Sequence, residues 1–532
     1  MPPPSNLAKP TGLFAAFFGR TAAPTPAPAP TPSPTPPTNP TEVDVLAREI
    51  QVYEADIKVT VSPQFGRELE RATKKPPPTR MPASLVFSRE DETPTTTDGA
   101  AVAETKRAAA VFAGLCPPLD SEKSAKVFIG QPTSQTTGIG GHLAARFIPT
   151  VERESIDLVD RHVAHWNKEL LWVGGYLGRM IYELELTELV KQWSTTTIKD
   201  TATRAQILKR GLHALKFFSF RPTTPSAAVG AEMESAFFQC AKRNETFPII
   251  STNGILPVCD VRLPDDTLRA FLPELPVLSD TTISDASRAV GRLRERKMLQ
   301  EIQFADVVQH LGLRPLTEKE MIACLSWWRE IAGLDGYTPA VRNQLLDATI
   351  LVTDSSKIVP LNSVKTFINP QSSSIPPDMP LPTDTVPYSV TKELRAQQMN
   401  QIFGWHELTL AHYVEFLANP PMSAVPGANP ETDIRASPIF AERVLGILGR
   451  GWQSISATQH TAIAATLKDV ACIPTRAGFK KPGEAYFEKN LLFDDLPTIT
   501  LPKTPTIKGG LEKMLLAIGV RRTVDLQLVF SR

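Results

Sequence analysis

Residues 126–186 read KVFIGQPTSQTTGIGGHLAARFIPTVERESIDLVDRHVAHWNKELLWVGGYLGRMIYELEL. Val127–Ile129 and Leu143–Ile148 are short apolar runs rich in β-formers, and the glycines Gly138, Gly140 and Gly141 between them mark a turn. An Arg/Glu run follows, and then a helical pattern in which Val159, Val163, Trp166, Leu170, Val173, Leu177, Ile181 and Leu184 recur at steps of three and four. Burying eight such side chains contributes on the order of 12–24 kcal/mol before entropy. Gly174-Gly175 sits inside this helix, where each glycine costs about 1 kcal/mol relative to alanine. The pair predicts close approach to another backbone.

Upstream, residues 22–40 carry nine prolines and cannot form a core, so residues 1–41 read as a proline-rich segment and linker. A polyproline II spacer of that length spans roughly 60 Å. Ahead of it, Gly12–Arg20 (GLFAAFFGR) reads as a short amphipathic docking segment or the frayed end of a missing domain rather than a secretion signal. Structure is expected from Glu42. Ile50, Val52, Ile57, Val59 and Val61 alternate with a phase change near Glu54 that suggests a bulge. Ser62-Pro63 opens a helix with Phe65, Leu69 and Ala72 inward, and Pro76–Pro78 ends it. Leu85–Phe87 is a strand, and Glu90–Gly99 a polar loop. Residues 42–186 therefore form an α/β (α+β) domain with a long closing helix.

After Leu186 the pattern repeats. LGLRPLTEKEMIACL at Leu311 matches FGWHELTLAHYVEFL at Phe403 without a gap, with Thr317 and Thr409 at N-cap positions, and IGVRRTVDLQLVF at Ile518 opens a weaker copy. PIISTNGILPVCDVRL at Pro248, LVTDSSKIVPLNSVKTF at Leu351 and IPTRAGFKKPGEAYF at Ile473 read as hairpins, each with a proline in its second arm. The expected organisation is helix-plus-hairpin units at 187–310, 311–402 and 403–517, with a cut-short unit at 518–532. Because that last unit stops within about one helical turn, the chain is expected to be a fragment or shortened relative of a longer protein.

The balance of charge, Lys+Arg 57 against Asp+Glu 56, gives no basic excess of the kind nucleic-acid binders show. The hairpins after helices suggest winged helices, but the helices are not basic, so nucleic acid is not expected as a partner. Cys116, Cys240, Cys259, Cys324 and Cys472 are odd in number and lack C-x-x-C spacing, which leaves them as reduced thiols. No apolar run reaches the roughly 18 residues of a membrane span.

No catalytic constellation emerges. Gly446-Ile-Leu-Gly449-Arg-Gly451 mimics a phosphate loop but lies in an apolar helical run. The Gly138–Gly141 turn lacks the Lys-Ser/Thr of a P-loop. His162, His165 and Glu169 imitate a ligand spacing without the H-E-x-x-H motif, so no metal is expected. Arg146, Glu152, Arg153 and Glu154 read as an ion-paired cluster at a strand end, in which Arg146 or Arg153 could present a guanidinium to a phosphate.

At QPTSQTTGIGGHLAARFIPTVERESIDL, and again at Ala471–Phe487 and Gly519–Arg532, the sequence resembles the fungal relatives of sacsin. These are large proteins in which a histidine-kinase and heat-shock-protein-90-like ATP-binding domain precedes a domain of unknown function. The resemblance spans most of residues 45–532. No Asp-x-Gly-x-Gly motif occurs here, so the resemblance implies the region after the ATPase, with ATP reached only through a missing domain and no cofactor of its own. It implies a non-catalytic, chaperone-like scaffold module in the cytoplasm or nucleus, with protein clients or an ATPase partner. The alternative is the client or relay half of an ATP-dependent machine, with Arg146 and Arg153 as relay arginines by analogy.

Overall fold

The computed structural model describes residues 50–89, 114, 115, 117, 119, 124–241, 244–333, 337–369, 371, 373–392, 394–419, 430–488, 493, 495–504 and 506–524. The proline-rich segment, the Gly12–Arg20 run, the Glu90–Gly99 loop, Cys116 and the final residues 525–532 lie outside the described residues. The fold is α+β, rich in helix with several small sheets. Two compact units emerge: one runs to Pro264 and includes Glu274–Ile302, and the other comprises Asp265–Pro273 and the chain from Gln303.

The first unit is built on a five-stranded sheet of order β1-β2-β5-β3-β4, formed by β1 (Ile50–Lys58), β2 (Arg80–Ser88), β3 (Lys126–Phe128), β4 (Pro132–Thr136) and β5 (Leu143–Ala144). β5 and β3 are parallel and the other neighbours antiparallel. β1 pairs with β2 without interruption from Ile50↔Ser88 to Lys58↔Arg80, so the expected bulge at Glu54 is absent. The inward series is Tyr53, Ala55, Ile57, Val59 and Val61, a single phase of period two. Val52 belongs to the outer face. Helix α1 (Pro63–Thr73) follows, with the Ser62 hydroxyl accepting from the Phe65 amide as its cap.

Helix α2 (Arg161–Thr195) is the spine of this unit. The Asp160 carboxylate caps its start through the His162 and Val163 amides. Val159 thus lies outside the helix and is 94% exposed, and Leu184 faces solvent, so neither belongs to the buried stripe. The helix runs past Leu186, and the domain boundary expected there falls inside it. It crosses from the sheet to helices α3 (Thr201–Phe217) and α4 (Ala227–Gln239) and to the hairpin β6 (Pro248–Ser251)–β7 (Gly254–Pro257). Gly174-Gly175 explains how these layers meet. A Cβ on Gly174 would sit 2.6 Å from Leu143 Cδ2, and one on Gly175 would overlap the Met233 carbonyl oxygen of α4. Asn167, fully buried, accepts from the Ile148 amide and donates to the Ile148 and Asp157 carbonyls, all at 2.8 Å, which ties the irregular segment 148–157 to the helix. Helix α5 (Ser287–Glu295) completes the elements used below.

The second unit contains α6 (Phe304–Leu311), β8 (Leu316–Thr317), α7 (Glu318–Ile331), α8 (Pro339–Ala348), β9 (Ile350–Val352), β10 (Ile358–Pro360), β11 (Thr366–Phe367) and β12 (His406–Glu407). It continues with α9 (Leu410–Ala418), α10 (Pro438–Gly451), α11 (Ala457–Leu467), β13 (Ile473–Thr475), β14 (Gly478–Lys480) and α12 (Gly510–Ile518). Thr317 and Thr409 cap α7 and α9 as expected, the first in a capping box with Glu320. The strands ahead of those caps differ, however. β8 pairs forward with β9, whereas β12 pairs back with β11.

All three hairpins form: β6–β7, β9–β10 and β13–β14. Each second arm ends at or before its proline and runs into one 3-10 turn, at Val258–Asp260, Leu361–Ser363 and Pro482–Glu484. A few residues later one position bridges two parallel partners: Arg262 with Val277 and Gln300, Thr366 with Thr385 and His406, Tyr486 with Thr498 and Arg521.

Gly175→Ala is expected to destabilise the first unit by about 1–3 kcal/mol, because the added methyl meets a main-chain oxygen that cannot move aside. Urea unfolding followed through the tryptophan fluorescence measures this.

Candidate functional site

The Gly138–Gly141 turn is closed by packing. Gly138 has φ +80°, and the Arg221 carbonyl oxygen lies 2.8 Å from where its Cβ would be. A Cβ on Gly140 would lie 2.6 Å from the Phe217 ring, and one on Gly141 would overlap the Val86 carbonyl oxygen. These glycines admit neighbouring protein atoms and leave no room for a phosphate. His142, next in the chain, is buried. Its Nδ1 accepts from the Lys126 amide at 2.9 Å, and Nε2 faces the Gly114 carbonyl at 2.9 Å, which fixes the neutral tautomer.

Arg146, Glu152, Arg153 and Glu154 are all exposed. None of them joins an ion pair among the described residues, so the expected ion-paired cluster does not form. Their backbones are what is fixed: the Arg146 carbonyl accepts from Trp166 Nε1, and the Glu154 carbonyl accepts from the Ser134 amide and hydroxyl. Arg153 occupies the left-handed region at φ +58°, in a turn closed by Thr150 and Ser155.

His162 and His165 lie against the Phe65 ring, with centroids at 5.8 and 5.4 Å. Among the described residues no group of three or more His, Cys, Asp or Glu is placed to hold a metal ion, and no helix is long and apolar enough to cross a membrane. In the Gly446–Gly451 stretch, helix α10 packs its glycines: a Cβ on Gly449 would lie 2.8 Å from Leu511 Cα.

What the structure does assemble is different. Trp172, Tyr176, Met180 and Leu184 stand at successive four-residue steps along α2, each 37–53% exposed. Their common face is a ridge about 18 Å long. The Trp172 and Tyr176 rings stack at 6.0 Å with 6° between planes. Beside the ridge, a cleft of about 470 Å³ lies between α2 and the β1–α1 connection, lined by Val59, Val61, Phe65, Trp166, Glu169 and Val173. The ridge is recoverable from the helical pattern, since α2 carries apolar residues on two faces, which is more than one buried stripe requires.

Under that helix lies a buried ionic clamp. Arg89 Nε and Nη2 donate to Glu185 Oε2 at 2.9 and 2.7 Å, and Arg210 Nη2 donates to Oε1 at 2.7 Å. The Glu185 side chain is 2% exposed. Sequence gave no signal for it, because the three residues come from β2's end, α2 and α3.

These features meet one comparison with known proteins. The match to the protein family of unknown function DUF3684 extends over residues 4–532. The chain belongs to that family. No curated protein and no solved structure matches it.

Glu185→Ala is expected to cost about 2–3 kcal/mol, less than the ~3–5 of a fully buried broken pair, because the two guanidiniums are 28% and 22% exposed. Chemical denaturation of the variant beside the parent gives the difference. His142 supplies a pH signature. Burial holds its imidazole below the ordinary 6.5, against the opposing pull of its hydrogen bond to the Gly114 carbonyl. The unfolded chain therefore binds this proton more readily, and stability is lost as pH falls below 6.5 toward the folded value. A denaturant midpoint that declines from neutral pH to mild acid, with a flatter profile in His142→Asn, is the expected result.

Proposed function

We propose that this chain is a non-catalytic, chaperone-like scaffold module that holds short apolar segments of client polypeptides on α2. The ridge Trp172–Tyr176–Met180–Leu184 carries the reading. Four large apolar side chains in one row are costly to leave in water, and rigid aromatic pairs are efficient anchors at interfaces. The size of the surface selects the occupant. An 18 Å ridge matches about five or six residues of extended chain at ~3.3 Å per residue. It falls well short of the roughly 800 Å² per partner of a stable folded interface. The adjoining cleft lets the same segment bury a side chain against Phe65 and Val173.

The scaffold is read as three tandem modules, in each of which three helices lead into a hairpin, a 3-10 turn and a doubly bridged position. The matching bridges at Arg262, Thr366 and Tyr486 support it. In this reading the module joints fall near Gln303 and Thr409, the caps of α6 and α9, instead of at Leu311. The resemblance to sacsin-type proteins agrees with a client-holding role.

The test is suppression of light scattering from the reduced insulin B chain by the full chain. Trp172→Ser/Tyr176→Ser is expected to lose most of the suppression while melting at the parent's temperature, since both residues are substantially exposed. Full suppression by the double variant, or none by the parent, overturns the reading.

A further inference from the structure

A groove of about 450 Å³ runs between α4 and α5 in the first unit, away from the ridge residues of α2. It is lined by Phe220 and the small residues of α4, together with Arg221, Arg288, Arg292, Glu234 and Glu295. The charges do not cancel. Arg292 is engaged by Glu234 at 3.2 Å and Glu295 at 2.8 Å, and Arg296 also faces Glu234 at 3.7 Å. Arg221 and Arg288 have no carboxylate within 4.0 Å among the described residues. Two arginines without a carboxylate partner among the described residues therefore line one groove.

Arg221 is held in place by its surroundings. Its amide donates to the Gly138 carbonyl at 2.8 Å, and its own carbonyl lies against both Gly138 and Gly230. The following loop is bolted to β4. Thr224 accepts from the Thr136 amide at 2.8 Å, and the buried Gln135 side chain both accepts from the Ser226 amide and donates to its carbonyl, each at 3.1 Å. The Thr223 hydroxyl donates to the Ser226 carbonyl at 2.6 Å and accepts from the Gly230 amide at 3.1 Å. With the backbone already fixed, only side-chain freedom is lost when the Arg221 head group is engaged.

Gly291 is the second, independent sign. It lies inside α5, where glycine is unfavourable relative to alanine. Apart from its own helix backbone and chain neighbours, nothing lies within 4 Å of where its Cβ would be, so packing does not demand it. It faces the groove, and its missing side chain is space for something else.

We propose that this groove binds a small phosphorylated molecule, with Arg221 and Arg288 gripping its oxyanions and Gly291 leaving room for its body. Planar guanidiniums match phosphate oxygens in pairs, and the volume falls within the ~300–1,000 Å³ of small-molecule clefts. The groove shares no residue with the client ridge, so either reading stands without the other.

Isothermal titration of the full chain with inorganic pyrophosphate tests it. Saturable binding is expected, weakened about tenfold or more in Arg221→Gln and in Arg288→Gln. Arg294→Gln, on the same helix but outside the groove and paired with Glu301, leaves the affinity unchanged. Gly291→Leu fills the groove and abolishes binding, while its melting temperature stays level or rises, which separates occlusion from unfolding. Citrate, a polyanion without phosphate, binds at least tenfold more weakly. No saturation at millimolar pyrophosphate, equal affinity in Arg221→Gln and Arg288→Gln, or citrate binding as tight as pyrophosphate overturns the proposal.

Discussion

The contact at Gly175, where α2 meets the Met233 carbonyl of α4, sets the geometry of the first unit. Any side chain there would meet the Met233 carbonyl oxygen and force the two helices apart. Tyr182, two turns further on, donates from its hydroxyl to the Pro248 carbonyl at 2.7 Å and stacks on Phe247 at 4.8 Å. Arg179 lies between, almost fully buried, with Nε on Glu183, Nη1 on the Phe237 carbonyl and its guanidinium 4.7 Å from the Phe247 ring. Such a charge is tolerable in the interior only when surrounded this closely. A glycine pair in sequence thus determines whether a buried arginine, an aromatic cluster and a hairpin meet at all.

Each unit hides a carboxylate, and the two are satisfied in different ways. Glu185 is met by two guanidiniums from separate elements. Glu442, on α10, accepts from the Lys503 amide with both oxygens at 2.9 Å and from the Thr504 hydroxyl at 2.7 Å, with no cation needed. The first arrangement fixes three elements by charge, the second one loop by hydrogen bonding. Both raise the cost of any alternative packing that strands the carboxylate.

Local chemistry made much of the fold legible. Ser62-Pro63, Thr317 and Thr409 announced caps because the capping atoms belong to neighbouring residues, and the Asn-Gly pair within PIISTNGILPVCDVRL marked a turn that places its glycine at positive φ, +107° at Gly254. Gly174-Gly175 was readable as a contact, though its partner was not. β4 was invisible. Its inward residues are Thr133 and Gln135, buried polar groups satisfied by hydrogen bonds, so no apolar alternation marks the strand. The inner face of β1 was misassigned because Tyr53 and Ala55 carry weaker apolar signals than Ile50 and Val52. Site residues fared worse. Arg146 and Arg153 share a sequence neighbourhood but their side chains gain no ion pair among the described residues, whereas the Arg221 backbone is held by the Gly138 turn and its loop by β4, 80 residues and more away in the chain.

Helix α2 has one further consequence. Its 35 residues touch the sheet through Gly174 and the β6–β7 turn through Trp193, whose indole lies 2.5 Å from where a Cβ on Gly254 would be. An unbroken helix about 50 Å long cannot melt at its centre without releasing both ends. Its central amides therefore exchange with solvent only when sheet and hairpin open together, which makes two structurally dissimilar layers a single cooperative foldon.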